Sequence, residues 1–422
     1  MTKPYRFFYG WVIVGVSFVN LAIVFGIWYS FSVFFVAVLQ EFGWSRAATA
    51  GVFSSFMLVH SLAAVLIGAL LDRLGPRIVF PAAACVVALG LLATSRMTAL
   101  WQFYLWYGVF TPVGVCAIGF IAHSMVLPKW FQRKRGLAIG IAMAGVGLGM
   151  QIFVPATQLV ISGHGWRSAY VALAVLILAV LIPMNLLLQR RDPQSLGEEP
   201  DGIQSNATAA ARPRKTGGLK APSLKPVAGT LREAVRTRPF WLLAGSFFFT
   251  PMAIQGTLIH QVASVVDRGF TAAQGAFFFG LAGIMGSAGK ILFGYLSDRI
   301  GRERAFALGL GCAFLGVVSL LLLGPEKDIL LYAYAILFGL GYGAIAPIFP
   351  ARLADLFLGP DFGKIMGALS LAGGIGGALG VWMSGRIFDG TGSYTVSFLL
   401  SLTAMIVSVA LFSLAGRKQN PS

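Results

Sequence analysis

Lys290 is the charged side chain of this sequence that stands well inside a long hydrophobic run. A cation in such a run costs on the order of 3 kcal/mol or more to insert into a bilayer, so it normally faces a cavity and has a partner. None of the 15 Asp and Glu residues falls near the middle of a hydrophobic run. The missing counter-charge is therefore predicted to be an anionic ligand. The competing interpretation is that Lys290 extends its ammonium about 10 Å toward the nearer membrane surface.

Three histidines also fall inside hydrophobic runs. An unperturbed imidazole titrates near pH 6.5, which suits proton exchange, so His260 is a candidate proton-coupling residue together with Lys290. An equal alternative is that His260 stays neutral and donates a hydrogen bond to a neighbouring helix. His60 and His123 are predicted to have structural roles.

Two tyrosines are candidate ligand-binding residues. Tyr342 lies in the middle of its run, within Gly339-Leu340-Gly341-Tyr342-Gly343, where a phenol can donate a hydrogen bond to a carboxylate. Tyr29 is the weaker candidate, because aromatic side chains more often fill the packing between helices. Gln151 and Gln255 are also polar within apolar runs, and hydrogen bonding between helices is their default role.

Twelve hydrophobic runs must position these residues. Hydrophobic residues make up 57% of the 422 positions and charged residues 11%, a balance that a water-soluble protein of this size could hardly have. Each run has about the 20 residues that a helix needs to cross a bilayer, and backbone groups in lipid must be satisfied within each segment. The sequence therefore predicts an all-α integral membrane protein with twelve transmembrane helices.

The positive charges are distributed unequally between the two sets of loops. With the N-terminus placed inside, 25 of the 32 Lys and Arg residues fall on the cytoplasmic side, 6 fall on the outer side and Lys290 lies within the membrane. The positive-inside rule then predicts that both termini are cytoplasmic. This distribution explains the net charge of +17 without a nucleic-acid partner.

A polar stretch and an internal repeat divide the chain into two halves. Residues 190–238 have the composition of a cytoplasmic linker between six-helix bundles at 1–189 and 239–422. A short pattern recurs 226 residues apart near the end of the second run of each half, and it is predicted to act in gating. Its members are Gly68, Asp72 and Arg73 in the first copy and Gly294, Asp298 and Arg299 in the second, and Gly75 and Gly301 complete the two copies. Arg77 and Arg302 follow, one position out of register with each other.

This repeated pattern resembles the signature loop of the major facilitator superfamily. Further segments are similar to bacterial monocarboxylate-transporter-like members: Tyr9-Gly10-Trp11-Val12, Glu41-Phe42-Gly43-Trp44-Ser45-Arg46, Lys129-Trp130-Phe131, Arg135-Gly136-Leu137-Ala138, Gly165-Trp166-Arg167, and Asp389 with Gly392, Ser393 and Tyr394. The resemblance implies two pseudo-symmetric six-helix bundles. At the position of Lys290, four residues before Gly294, the family usually has an arginine that binds the carboxylate. Related bacterial carriers often have a histidine where His260 stands.

The resemblance implies a secondary active transporter for a small organic anion in the inner (plasma) membrane. The favoured mechanism is proton-coupled symport of a monocarboxylate by alternating access. The alternatives are an anion exchanger of the oxalate/formate type, an exporter of a less polar metabolite, and a membrane receptor that does not transport. We expect a monomer in the lipid bilayer with no catalytic residues, no metal, no cofactor and no nucleic-acid partner, and therefore no enzyme activity.

Overall fold

Long apolar segments form helices throughout the described part of the chain. The computed structural model describes residues 8–131, 134–202, 228–324, 328–357, 359 and 361–416, and these residues contain no β-strand. Eleven helices are long and apolar enough to cross a membrane, and one of them runs for 53 residues from Gly136 to Leu188. Residues 203–227 of the predicted linker lie outside the described residues, and the domain boundaries at 190 and 238 stay predictions.

Six helices form the N-terminal half. The first four are α1 (Gly10–Phe42), α2 (Arg46–Leu74), α3 (Pro76–Ser95) and α4 (Leu100–Trp130), and the 53-residue segment contains α5 (residues 135–164) and α6 (residues 166–188). Gly165 separates α5 from α6, with φ 79° and ψ 162°, a conformation that is essentially restricted to glycine. Gly75, between α2 and α3, has φ 77° and ψ 162°.

The chain reverses direction at Gly165. In α5, Gly145 lies against Phe18 of α1, and Ser30 of α1 bonds to Thr157 further along α5, so α1 and α5 run in the same direction. In α6, Asn185 is hydrogen-bonded to Asn20 near the start of α1, at a distance of 2.9 Å. The 53-residue segment therefore crosses the bundle twice, and the described residues make twelve crossings.

Six further helices form the C-terminal half. They are α7 (Arg238–Val266), α8 (Ala272–Ile300), α9 (Arg302–Leu321), α10 (Asp328–Phe357), α11 (Phe362–Thr391) and α12 (Thr395–Ala415). Gly301 joins α8 to α9 with φ 92° and ψ 155°, which matches the turn at Gly75 in the repeat. This agreement explains why both copies of the repeated pattern contain a glycine at that position.

The two halves pack internally in the same way. Glycines on the fifth helix of each half lie against backbone carbonyls of the first helix, and the pairs are Gly145 with Phe18, Gly149 with Ala22, Gly376 with Phe248, and Gly380 with Met252. A side chain at these glycines would collide with the backbone, so each close approach needs glycine. The predicted fold, an all-α membrane protein with two pseudo-symmetric six-helix bundles, is confirmed.

The halves face each other along two seams, α2 with α11 and α5 with α8. We call one end of the bundle the linker end, and it holds Gly10, Leu74, Arg238, Ile300 and Ala415. We call the opposite end the far end, and it holds Phe42, Arg46, Val266, Ala272 and Thr391. The candidate site lies between the halves, at mid-height along the helices.

Candidate functional site at the centre of the bundle

A pair of tyrosines joins the two halves at mid-height. The hydroxyl oxygens of Tyr29 on α1 and Tyr342 on α10 are 2.5 Å apart, a short hydrogen bond between phenols. The ring of Tyr342 lies against Gly286 of α8, where an added Cβ would be 3.1 Å from Tyr342 Cδ1. The sequence predicted both tyrosines as separate candidates, and the structure brings them into direct contact.

Lys290 lies one helical turn from Gly286, on the linker side of the tyrosine pair. Its side chain is half-buried, and it has no ion pair or hydrogen bond with any described residue. Its position on α8 falls between Ser287, which faces α5, and Gly286, which faces α10. The ammonium therefore projects toward the interior between the halves, and the exposed side chains of Ile291 and Tyr295 lie about 100° and 140° around α8 from it.

Further polar side chains near this level lack partners within the protein. Among the described residues, Trp28 Nε1, Gln151 Oε1, Gln255 Oε1 and Ser287 Oγ are buried without a hydrogen-bond partner. Unpaired buried polar atoms are rare in folded proteins and each needs an explanation. Together with Lys290 and the tyrosines, they form an interior that can bind an anion with additional hydrogen-bonding groups.

The halves are tied together at the far end by Arg46, the first residue of α2. Its guanidinium donates to both carboxylate oxygens of Asp267, at 2.7 and 2.8 Å, and to the Tyr394 hydroxyl at 2.7 Å. Its Cζ also lies 3.6 Å from the ring centre of Phe388. Asp389 accepts hydrogen bonds from the backbone amides that begin α2. We call Arg46, Asp267, Phe388, Asp389 and Tyr394, together with His260 which contacts Tyr394, the far-end seal.

His260 belongs to this seal and makes no contact with Lys290. Its Nε2 is 2.9 Å from the carbonyl oxygen of Val381, so Nε2 carries the proton and donates. Its Nδ1 is 3.0 Å from the Tyr394 hydroxyl and accepts from it. A continuous series of hydrogen bonds therefore runs from Arg46 through Tyr394 and His260 to the backbone of α11.

The predicted gating residues lie at the linker end and pair within their own halves in this conformation. Lys129 lies 3.9 Å from Asp72, and Arg302 lies 2.5 Å from Asp298 and 3.3 Å from Asp355. Four of the remaining five residues also stay within one half: Arg77 donates to the Leu186 carbonyl, Arg299 stacks on Tyr295, Gly68 faces Met125 and Gly294 faces Pro347. Arg73 is exposed.

The interior is open toward the linker end. Among the described residues, every hydrogen bond or ion pair between the halves lies in the far-end seal, at Ser54 with the Ala378 carbonyl, or at the tyrosine pair. The glycines on the linker side of the seams, Gly136 and Gly140 of α5 with Gly363 and Gly367 of α11, have no neighbour within 4 Å of an added Cβ.

Sequence reasoning missed the far-end seal as a unit. Arg46, Asp389 and Tyr394 entered the sequence analysis only as matches to family motifs, and their partner Asp267 was not singled out. The sequence did contain an indication of this cluster, because all of these residues adjoin helix ends on the same side of the predicted membrane topology. Sequence separations of 221 residues between Arg46 and Asp267, and 343 between Arg46 and Asp389, hid the pairing.

Two solved structures share this architecture along nearly the whole chain. A bacterial homologue of the human lysosomal transporter Spinster, in an inward-facing and occupied conformation, aligns with a TM-score of 0.71 at 16% identity, covering 99% of this chain and 98% of that one. The nucleoside transporter NupG aligns with a TM-score of 0.73 at 12% identity, covering 97% and 100%. At such identities the likeness shows the fold alone.

Sequence comparisons show the family. The profile described as Major Facilitator Superfamily matches residues 17–336. Monocarboxylate transporter 13 of Bos taurus is 30% identical over 396 residues, which cover 93% of this chain and 86% of the relative. Monocarboxylate transporter 2 of Homo sapiens is 24% identical over 436 residues, covering 98% and 86%. The chain, whose described residues cross the bundle twelve times and leave Lys290 unpaired among them, thus belongs to the major facilitator superfamily, is related there to the monocarboxylate transporters, and is a multi-pass membrane transporter and not an enzyme.

Proposed function

We propose that this protein is a proton-coupled symporter of a small monocarboxylate that works by alternating access. The observation that carries the proposal is Lys290, a cation in the membrane interior with no partner among the described residues, one turn from the tyrosine pair. A cation left unpaired at this depth is unfavourable, so an anion that neutralises it binds with a strong electrostatic contribution. The relatives above are named monocarboxylate transporters, which agrees with that chemistry.

The tyrosine pair gives the site a way to respond to cargo. In this conformation the Tyr29 and Tyr342 hydroxyls bond to each other across the halves. A carboxylate next to Lys290 accepts hydrogen bonds from both phenols, because each phenol can donate once. Binding therefore exchanges one bond between the halves for bonds that both halves make to the cargo. Such an exchange lets cargo set the distance between α1 and α10.

Alternating access follows from the two ends of the bundle. In this conformation the far-end seal is closed and the linker end is open. We propose that the far-end seal breaks in the opposite conformation. As the linker end closes there, Asp72, Asp298 and the basic residues near them come together between the two halves. Added Cβ atoms at Gly68 and Gly294 would meet their neighbours at 3.9 and 3.6 Å, which are ordinary contact distances. These glycines are therefore proposed to be needed in the closed linker end.

Proton coupling follows from the charge of the empty site. The described membrane interior offers no carboxylate to neutralise Lys290, so the empty carrier returns more easily if that proton leaves first. Cotransport of one anion with one proton is also electrically neutral. We propose that Lys290 carries the transported proton and that His260 in the far-end seal participates in its transfer. The positive-inside distribution supports cytoplasmic termini, and with them a linker end that faces the cytoplasm.

Uptake into proteoliposomes tests the proposal. The purified protein is first examined for thermal stabilisation by L-lactate, pyruvate, formate and oxalate, since a bound anion stabilises the folded state by mass action. The most stabilising anion is then used for uptake with a pH electrode in the outer solution. Symport predicts that the outer solution becomes alkaline as anion enters. Verified uptake without alkalinisation would replace symport with exchange or uniport, and no saturable binding of any anion would overturn the proposal.

A further inference from the structure

His60 is an interior histidine that the proposed mechanism leaves unused. It lies at the middle of α2, with its ring in a T-shaped contact with Trp28 at 4.9 Å between ring centres and nearly parallel to Phe56 at 6.5 Å. Neither of its ring nitrogens has a hydrogen-bond partner among the described residues, whereas both nitrogens of His260 are bonded. Unlike the two ring nitrogens of His123, which are fully buried without partners, those of His60 are not fully buried, so a polar group that enters the adjoining space can reach them.

The half-buried side chain of His60 faces the interior and not the lipid. Leu58, Leu62 and Leu66 form the exposed stripe of α2, with exposed fractions of 37%, 61% and 74%. At about 100° per residue, His60 lies roughly 160° around the helix from the middle of that stripe. Its neighbour Ser61 contacts Gly374 of α11 in the opposite half. The accessible part of His60 therefore borders the space between the halves.

Internal symmetry places His60 close to the counterpart of Lys290. Lys290 is separated by the repeat distance of 226 residues from Ala64, which is one turn of α2 from His60. Trp28, which contacts His60, is adjacent in the chain to Tyr29, whose hydroxyl meets Tyr342. Each half thus contributes one nitrogen side chain to the interior near the tyrosine pair.

We propose that His60 is a cargo-binding residue contributed by the N-terminal half. Its ring N–H donates a hydrogen bond to the anion while Lys290 provides the charge from the other half. The inference rests on the proposed function, since it assumes that a carboxylate occupies this interior. It adds that cargo is held from both halves by nitrogen donors, which links binding to the approach of α2 and α8. The sequence analysis had predicted a structural role for His60.

The test compares His60→Ala, His60→Gln and the control His164→Ala in purified protein and in proteoliposomes. His164 is exposed at the end of α5, so its variant should behave like the wild type. Thermal shift by the most stabilising anion among L-lactate, pyruvate, formate and oxalate reports binding, and initial uptake rates separate KM from kcat. Losing a hydrogen bond to a charged ligand should raise KM about 10-fold or more in His60→Ala with kcat within about 2-fold. His60→Gln should recover part of the loss, because its amide can donate.

Each outcome is decisive. An unchanged KM in His60→Ala would overturn the role of His60 while leaving anion transport intact. A fall in kcat alone would assign His60 to packing and overturn the inference. The same conclusion would follow if His60→Ala lowered the melting temperature without cargo and His60→Gln fully restored both that temperature and KM. A wild-type protein that no tested anion stabilises and that transports none of them would remove the proposed function and the role of His60 together.

Discussion

Lys290 combines a high cost in the membrane with the absence of an internal partner. Most buried charges in proteins are paired, and breaking such a pair is strongly destabilising because an uncompensated charge remains. Here the uncompensated charge is already present in the protein without cargo. Removing the charge should therefore leave stability unchanged or improved, while function is lost. This separation between stability and function distinguishes a binding residue from a structural one.

The Lys290→Ala variant should lose anion uptake to the background level while its melting temperature stays equal or rises. The reason is that the anion loses its counter-charge, whereas the fold loses an unfavourable cation. Radiolabelled uptake in proteoliposomes and thermal unfolding without cargo check the two halves of the prediction. Lys364→Ala is the matched control, because Lys364 is exposed and pairs locally with Asp361. Wild-type kinetics in Lys290→Ala would disprove the binding role.

Lys290→Arg should keep part of the activity with a changed preference among anions. A guanidinium carries the same charge as an ammonium but presents a flat, two-pronged donor. We expect kcat/KM to fall by roughly 10-fold for the best wild-type cargo and to fall less for an anion that accepts both prongs. Competition assays with L-lactate, pyruvate, formate and oxalate measure this order. An identical order in both proteins would show that Lys290 does not contact the cargo.

At the level of helices, α2 begins at the far-end seal and ends at a gating pattern. Its first residue, Arg46, is bonded across the halves, and its last turn, with Asp72 and Arg73, stays within the N-terminal half. α2 is therefore suited to transmit opening at one end into closing at the other. The glycine-rich seams of α5 and α11 allow the backbones to approach closely on either side.

Replacing Arg46 with alanine should shift the protein toward a conformation that is open at the far end. The variant loses a two-pronged ion pair whose arginine is only 18% exposed, together with the bond to Tyr394. Partly shielded, charge-assisted bonds of this kind are worth about 1.5–3 kcal/mol, which predicts a shift of about 10-fold or more.

Maleimide labelling measures the shift. Cys85, Cys116 and Cys312 are replaced by serine, and Ser54→Cys is introduced, because Ser54 lies in the seam between α2 and α11. Labelling should be roughly 10-fold faster with Arg46→Ala and unchanged with Arg96→Ala, where the arginine is an exposed residue between α3 and α4. Equal rates in all three backgrounds would show that the Arg46 contacts do not hold the far end closed.

The linker-end patterns should affect the rate of transport more than the affinity. Asp72→Asn and Asp298→Asn each remove a carboxylate at the linker end. Asp298 lies about eight residues, or some 12 Å along the helix, from Lys290, and Asp72 lies equally far from Ala64, the counterpart of Lys290 in the repeat. We expect turnover to fall by roughly 10-fold while the equilibrium Kd of the anion changes by less than about 2-fold. Uptake rates and thermal-shift titrations provide the two quantities. A matching loss of affinity would place these carboxylates at the cargo site instead.

For the whole molecule, the proposed coupling to protons depends on how the carrier reorients without cargo. Exchange of one bound anion for another never requires the empty carrier to reorient, whereas net uptake does. His260 bridges the Tyr394 hydroxyl and the Val381 carbonyl within the far-end seal. A glutamine in its place can accept from Tyr394 and donate to Val381, but it cannot take up a proton. His260→Gln therefore separates the hydrogen bonds of the seal from its capacity for protonation.

We predict that His260→Gln weakens proton-driven accumulation by about 5-fold or more and leaves counterflow exchange within about 2-fold of the wild type. Because anion and proton bind cooperatively in the proposed cycle, the wild type should also bind the anion more tightly as the external pH falls. Accumulation against a pH gradient and counterflow in the same vesicles measure the first effect. If accumulation and exchange fell in parallel, His260 would serve the seal alone.

Much of this architecture could be predicted from the sequence because it depends on local physics. Runs of about 20 apolar residues form helices in lipid wherever they occur, and the division by a polar stretch is visible without any contact. The turn glycines Gly75 and Gly301 are likewise local, since their backbone angles exclude other residues. Lys290 stood out for a similar reason, because its place in the middle of an apolar run is visible in the sequence and a charge there is costly without a partner.

The sequence by itself determined which residues are unusual for a membrane interior, and the tertiary structure decided which of them meet. Tyr29 and Tyr342 are 313 residues apart in the chain and form one hydrogen bond. His260 and His60 are both histidines inside hydrophobic runs, yet the first has a partner on each ring nitrogen and the second has none among the described residues. Such differences arise from packing between helices of different halves, and the periodicity of a single helix contains no information about that packing.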